Sequence, residues 1–300
     1  MMALQDATRD VKGYHDIAGD GGSRVAEQVA EHRARIERAL AGVRRLVAIG
    51  SGKGGVGKST LTMQLAVALS ARGRRVAILD ADFNGPSQAR LAGLMETPPL
   101  PGASGLILPK SRLGIGVVSM GGLVPESRAV DFDSVAEGET HTWRATQEFN
   151  VLGQLLAGVE WGELDVLLLD LPPGAERTLQ YAEFLGGRTA FVVVTIPADL
   201  ARGVVARSIE ALGRTPCAIL GYVENMCGYS CPSCGEVGPL FPGSGDVELG
   251  VPCLGRVPFD PRLAELSDSG EAVGAGEAPP SVHAIQAVAD TLEHVWEAGR

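Results

Sequence analysis

The stretch Leu46-Val-Ala-Ile-Gly-Ser-Gly-Lys-Gly-Gly-Val-Gly-Lys-Ser-Thr60 decides the reading of this chain. Gly52 to Ser59 fits the phosphate-binding pattern G-x-x-x-x-G-K-[ST], and the pattern stands where it has to stand. An apolar strand leads in over 45–50, and an amphipathic helix leads out over 59–72. Gly52, Gly54, Gly55 and Gly57 let the backbone curl so that its N–H groups, including those of Val56 and Thr60, face phosphate oxygens at a helix N-terminus. In such a loop Lys58 reaches the β- and γ-phosphates and the Ser59 hydroxyl ligates Mg²⁺. The chain is therefore expected to bind a nucleoside triphosphate, with ATP as the first candidate.

A second lysine, Lys53, is not required by the general pattern. One lysine already serves the phosphates, and a second so close is repelled unless anionic charge lies nearby. KGGVGKS resembles the deviant loop of the MinD/ParA/nitrogenase-iron-protein class of ATPases. That resemblance implies two subunits that sandwich two nucleotides, with Lys53 supplying charge to the partner's nucleotide in the manner of an arginine finger.

Outward from the loop, apolar runs alternate with helical ones. Strands are predicted at 45–50, 75–80, 115–119, 165–170, 189–195, 217–223 and 252–257, and helices at 59–72, 86–94, 143–159, 177–186, 200–213 and 281–298. Runs as continuously apolar as Val166-Leu-Leu-Leu169 and Phe191-Val-Val-Val194 suit strands covered on both faces. The expected fold is a doubly wound, mostly parallel α/β sheet of the P-loop NTPase type, with its ligand at the carboxyl ends of the strands. Residues 44–300 form this domain, including a cysteine loop near 227–235. Residues 1–43 are expected to be a mobile tail plus a short charged helix over Arg24–Leu40. Segments 96–114 and 120–140, rich in Pro, Gly and acidic residues, read as loops.

Two strands end in carboxylates. Val76-Ala-Ile-Leu79 leads into Asp80-Ala-Asp82, where Asp82 is expected to orient or deprotonate the attacking water and Asp80 to shape the Mg²⁺ shell. Val166–Leu169 leads into Asp170, a Walker B-like position suited to holding Mg²⁺ through a water. The stiff Leu171-Pro-Pro-Gly174 that comes next suits a segment responsive to the γ-phosphate. Asn225, in Gly221-Tyr-Val-Glu-Asn-Met226, is a candidate reader of the adenine edge, since one amide offers both donor and acceptor.

The 300 residues are 45% hydrophobic with a net charge of −10, which argues against nucleic-acid binding through a basic surface. No run approaches a membrane span and no secretory leader is evident, so membrane association is not expected either. Five cysteines do not make a disulfide framework in a chain of this size. Three of them cluster in Cys227-Gly-Tyr-Ser-Cys231-Pro-Ser-Cys234, pointing to metal or redox chemistry in a reducing, cytoplasmic setting. Cys231 and Cys234 form a C-x-x-C turn, while Cys217 and Cys253 are expected in the core. A tetrahedral site needs four ligands, and a twofold homodimer with two thiols per subunit supplies them. A shared [4Fe–4S] cluster, a shared structural zinc and a thiol redox pair all remain open on spacing alone.

In order, GSGKGGVGKST, LDADFNGPS, WGELDVLLLDLPPG, GYVENM, CPSCGE and GVPCLGRVPFDP resemble the Mrp/ApbC group of P-loop ATPases. The likeness implies a dimer that binds a labile [4Fe–4S] cluster on a paired C-x-x-C and passes it to apo iron–sulfur proteins, with ATP hydrolysis linked to that cycle. It carries the nucleotide to Lys53, Lys58 and Ser59, Mg²⁺ and water to Asp82 and Asp170, and the cluster to Cys231 and Cys234. Two segments depart from the group's usual pattern: Ala175-Glu176-Arg177 comes after Gly174, and Trp143-Arg144-Ala145-Thr146 stands for Trp-Arg-Gly-Pro. The alternative is a MinD/ParA-like positioning ATPase with a structural zinc at the paired C-x-x-C. It calls for a basic amphipathic helix or basic surface, and the last predicted helix, Val282 to Trp296, has no Lys or Arg.

Overall fold

The computed structural model describes residues 25–123, 141–241, 249–270 and 278–298. The expected N-terminal tail and most of the loop expected over 120–140 lie outside them. The strands are β1 (Leu46–Ser51), β2 (Val76–Asp80), β3 (Leu100–Pro101), β4 (Leu106–Ile107), β5 (Gly116–Val118), β6 (Val166–Asp170), β7 (Thr189–Thr195), β8 (Ala218–Ser230), β9 (Val237–Gly238) and β10 (Cys253–Phe259). The helices are α1 (Val25–Ala39), α2 (Lys58–Ala71), α3 (Gln88–Leu91), α4 (Met120–Leu123), α5 (His141–Gly158), α6 (Ala175–Leu185), α7 (Asp199–Leu212), α8 (Pro261–Asp268) and α9 (Pro280–Ala298).

The main sheet runs β10-β8-β7-β1-β6-β2-β5, and every pairing along it is parallel. Short β9 adds to β8 antiparallel, and β3–β4 form a separate hairpin inside the segment expected to be a loop. Side chains on successive strand residues point to opposite faces. Val47, Ile49, Val166 and Leu168 accordingly pack in one core layer with α2 and α9, while Leu46, Ala48, Leu167 and Leu169 pack in the other with α5, α6 and α7. The central strands are buried throughout, which is why their sequences are continuously apolar.

The expected architecture is therefore the observed one, with particular differences. The helix predicted over 86–94 is reduced to the single turn α3: Asp80 accepts from the N–H groups of Ser87 and Gln88 where it starts, and left-handed Gly93 (φ 66°) follows its end. Helix α8 was not expected. Its start is marked by Asp260, whose carboxylate accepts from Arg262 N, and by Pro261 in the first turn. Strand β8 runs well past its predicted end at 223, to Ser230. Cys217 is buried as expected, but Cys253 is exposed, because it opens β10 at the margin of the sheet where one side has no covering strand.

Helix α1 lies along α5, with the His32 ring so close over Gly153 that a β-carbon there would fall 2.3 Å from Nε2. Arg188 donates to the carbonyls of Leu40 and Val43 and ties the end of this segment to the start of β7.

Leu168 is fully buried at the centre of the sheet. Replacing it, Leu168→Ala, is expected to cost about 2–5 kcal/mol of folding stability, read as a lower urea midpoint with an unchanged slope.

Candidate functional site: a phosphate loop and a thiol turn joined by one strand

The loop between β1 and α2 is shaped by Gly55 and Gly57, both left-handed at φ 74° and 76°. Gly57 has a second reason to be glycine: a β-carbon would lie 2.3 Å from Asn225 Nδ2. That amide donates to the Val56 carbonyl at 2.8 Å, so β8 braces the loop directly. Ser51 Oγ donates to the Lys53 carbonyl at 3.0 Å, fixing the start of the loop. At Gly55, exposed at the tip of the loop, a β-carbon would meet nothing within 4 Å, so space beside the loop is open. Left-handed glycines, free space and a helix N-terminus together fit a nucleotide's phosphates.

Lys58 is buried, and its ammonium lies 2.5 Å from Asp170 Oδ1 and 3.2 Å from Ser59 Oγ. Asp170 also accepts from Thr62 Oγ1 at 3.2 Å and from Gln88 Nε2 at 2.8 Å. Thr62 and Gln88 complete the carboxylate's surroundings, yet no spacing rule in the sequence singles them out. Asp80 stands beside Asp170 in register across β2 and β6. It accepts from Ser119 Oγ, the N–H groups of Ser87 and Gln88, and the N–H of Asp82. Burial first, and the neighbouring Asp170 charge second, push the Asp80 carboxyl up to about 7 despite those donors. Asp82, half-buried, accepts from Gly85 N at 3.2 Å. Burial raises its pKa, against the pull of the Lys58 charge.

Gly174 N donates back to the Ser51 carbonyl at 2.9 Å, which brings the Leu171–Gly174 segment against the phosphate loop. Beyond it, Arg177 forms an ion pair with Glu148 of α5, and Asn84 Nδ2 donates to the same carboxylate at 3.2 Å. Glu148 thus links the loop after β2 to the first turn of α6, a role that becomes visible only in three dimensions. Tyr181 Oη donates to the Ala81 carbonyl at 2.9 Å, and burial raises its phenol pKa well above the usual range.

The thiol turn caps the hairpin formed by β8 and β9. Cys231 N donates to the Glu236 carbonyl and Gly235 N to the Cys231 carbonyl, with Gly235 left-handed at φ 74°. The N–H groups of Cys234 and then Ser233 point at the Cys231 sulfur and hold its thiol below the ordinary range. This favours the thiolate, the form that binds metal. Cys234 is exposed beside it. Cys227 lies back in β8, where burial raises its thiol pKa. Among the described residues no group of three or more His, Cys, Asp or Glu side chains converges as a metal site. The turn offers a pair of thiols.

A parallel sheet with a glycine loop after its central strand, a buried lysine on that loop and an aspartate at the end of the neighbouring strand define a P-loop NTPase. The profile of the ParA family described as NUBPL iron-transfer P-loop NTPase matches residues 42–293, and the chain belongs to that family. An iron-sulfur cluster carrier protein of Saccharolobus solfataricus is 38% identical over 256 residues, covering 83% of this chain and 82% of its own length. The cytosolic Fe-S cluster assembly factor CFD1 of Saccharomyces cerevisiae is 35% identical, covering 77% and 79%. Among solved structures, a nucleotide-binding protein from Archaeoglobus fulgidus in complex with ADP, with Co found, superposes with a TM-score of 0.65 at 34% identity, over 80% of this chain and 91% of that one. The MinD ATPase of Pyrococcus furiosus shares the fold at a TM-score of 0.60 and 23% identity, over 84% and 99%.

The folded protein holds the Asp80 proton up to about pH 7, whereas an unfolded chain releases it near the ordinary value of 3.8. The stability associated with this group is therefore complete in acid and is lost as pH rises toward 7. Asp80→Asn keeps a neutral side chain at every pH. The stability of the variant relative to the wild type is expected to rise as pH increases from 5 to 8. Parallel urea titrations across that range measure the gain.

Proposed function

We propose that this chain binds and hydrolyses MgATP and, as a homodimer, carries an iron–sulfur cluster to apo iron–sulfur proteins. The observation that carries this reading is the Cys231–Cys234 turn: two thiols on a tight backbone knuckle, one biased toward thiolate, at the end of the strand that braces the phosphate loop. Relatives named as iron–sulfur carriers and assembly factors support it. The cluster is cargo. Two thiols from each of two copies would complete its four protein ligands.

At the nucleotide end, the N–H groups of Gly54 to Thr60 receive the phosphates, and Lys58 exchanges part of its contact with Asp170 for phosphate oxygens. Ser59 and Asp170 are the proposed Mg²⁺-side groups. Asp80 shapes that shell from behind, by fixing the turn that carries Gln88 onto Asp170. Mg²⁺, when bound, neutralises charge on the transferring phosphoryl group. Asp82 accepts a proton from, or orients, the attacking water, and its raised pKa suits a base. Lys53 supplies charge across the dimer. Asn225 and the cleft beside it receive the nucleoside. This cleft is lined by Gly57, Thr60, Leu61, Asn225, Met226 and Phe259 among others. Among the described residues no helix is long and apolar enough to cross a membrane.

Anaerobic purification with iron, sulfide and zinc analysis tests the cargo. Iron and sulfide in equal amounts, about two of each per chain, with visible absorption lost in Cys231→Ala/Cys234→Ala, are expected. Zinc alone, persisting through cluster reconstitution, would instead make the turn a structural staple of a positioning-type ATPase. For Lys53→Ala, the turnover number of ATP hydrolysis is expected to fall on the order of 10³-fold while ADP affinity stays within a few-fold of wild type. An equal loss in both would show Lys53 acting within its own subunit as a simple phosphate ligand.

A further inference from the structure

Strand β8 is not regular between the two sites. Val257 of β10 faces Asn225 and Phe259 faces Tyr229, so two steps on β10 oppose four on β8. The extra length is a bulge over Met226, Cys227 and Gly228. Met226 there has φ +55°, a left-handed conformation that an L side chain other than Asn or Asp rarely holds. On one side of the bulge the strand is pinned. Asn225 Nδ2 donates to Val56, and Glu224 pairs with Arg256 at 3.1 Å. On the other side Tyr229 and Ser230 pair with β9, and Cys231 begins the thiol turn. The Met226 side chain does not face solvent alone. It lines the cleft beside the phosphate loop, and a β-carbon on Gly57 would lie 3.5 Å from its Cε.

Bulges that hold a strained residue next to a site re-aim the residues beyond them and persist only where the surroundings hold them in place. Here one wall of the cleft does that holding, and the re-aimed segment is the thiol turn. We infer that Met226 is a positioning residue. By filling the cleft, a nucleoside restrains the Met226 bulge and so changes the arrangement and accessibility of Cys231 and Cys234. The inference rests on the reading of the phosphate loop as a nucleotide site and goes beyond it by naming the route between that site and the thiols. A rigid strand would transmit displacement with no particular residue responsible. A strained bulge that lines the cleft gives the coupling an address.

The test uses the full chain, cluster-free, and reads alkylation rates of Cys231 and Cys234 by iodoacetamide, resolved by peptide mass spectrometry. Measurements are made without nucleotide and at saturating Mg-ADP, whose binding is followed separately by calorimetry. In the wild type, both cysteines are expected to react about fivefold or more slowly when the nucleotide is bound. Met226→Gly removes the side chain and accepts the left-handed backbone without strain, so the two rates should converge even at saturation. Met226→Leu keeps the bulk and should preserve the ratio. A purely structural role for Met226 would shift the rates with and without nucleotide alike and leave their ratio unchanged. If the wild type binds Mg-ADP and its thiols are indifferent, the inference is overturned while the nucleotide reading stands. Survival of the ratio in Met226→Gly overturns it equally. Failure of the wild type to bind Mg-ADP at all removes the nucleotide reading and this inference with it.

Discussion

A lysine ammonium buried 2.5 Å from a buried aspartate organises the nucleotide end of this protein. Neither charge is tolerable there alone, since an unpaired buried ion carries a desolvation cost of several kcal/mol. Their pairing requires the loop after β1 and the end of β6 to be neighbours, and the sheet order supplies that by laying β6 directly against β1. It also requires the second carboxylate oxygen to be satisfied, which Gln88 does from the turn that Asp80 fixes. Asp80 in turn must sit beside Asp170, which the β2–β6 register provides. One ion pair thus depends on three strands, and β2 and β6 place Asp80 and Asp170 side by side. A buried pair of this kind is weak as a source of stability, because desolvation offsets much of its attraction. Its usefulness lies in exchange. An anionic ligand entering the glycine loop offers Lys58 an alternative partner where the protein already holds it dehydrated.

The far end of the molecule is tied to this arrangement by β8. In the sheet β8 lies parallel between β7 and β10, with Gly221, Tyr222 and Val223 buried. From Glu224 to Cys227 it is partly buried and Tyr229 is exposed, while Gly228 and Ser230 remain buried. There its residues take on separate tasks: Asn225 braces the loop, Met226 lines the cleft, and Tyr229 stacks on Phe259 with ring centroids 6.3 Å apart. The stacked pair gives the outer half of the strand an apolar footing that its few ladder bonds to β9 would not supply alone.

The features that the sequence disclosed and those it withheld divide along physical lines. The strands of the buried sheet were legible because burial on both faces forces unbroken apolar runs, so Val166–Leu169 could hardly be anything else. The phosphate loop was legible because its chemistry demands fixed residue types at fixed spacing. The thiol turn was legible for the same reason. The extension of β8 was not, since Asn225 to Ser230 alternates irregularly and its length is set by partners, namely β9 and Phe259. Cys253 was misplaced in the core because a strand's apolar pattern does not say whether that strand is central or marginal. Gln88, Thr62 and Glu148 were invisible, because a side chain that supports a carboxylate from a distant part of the sequence leaves no local signature. Helix α8, by contrast, is marked locally by an aspartate cap and then a proline.

Two features of the single chain are incomplete in the same sense. The C-x-x-C turn presents two thiols where a tetrahedral metal or a cluster takes four ligands, and Lys53 stands on a loop whose phosphates Lys58 already serves. Both lie toward the carboxyl ends of the parallel strands: Lys53 just past β1 and Cys231 just past β8. Under the proposed homodimer, one twofold axis passing over that end would complete both at once, since an isologous contact duplicates every donated residue. The two completions are then geometrically dependent. A dimer drawn together over nucleotide by Lys53 changes the separation of the paired turns, and a cluster gripped by four thiols constrains the approach of the lysines. Linkage of that kind is reciprocal by thermodynamic necessity: whatever nucleotide does to cargo affinity, cargo must do to nucleotide affinity, by the same factor.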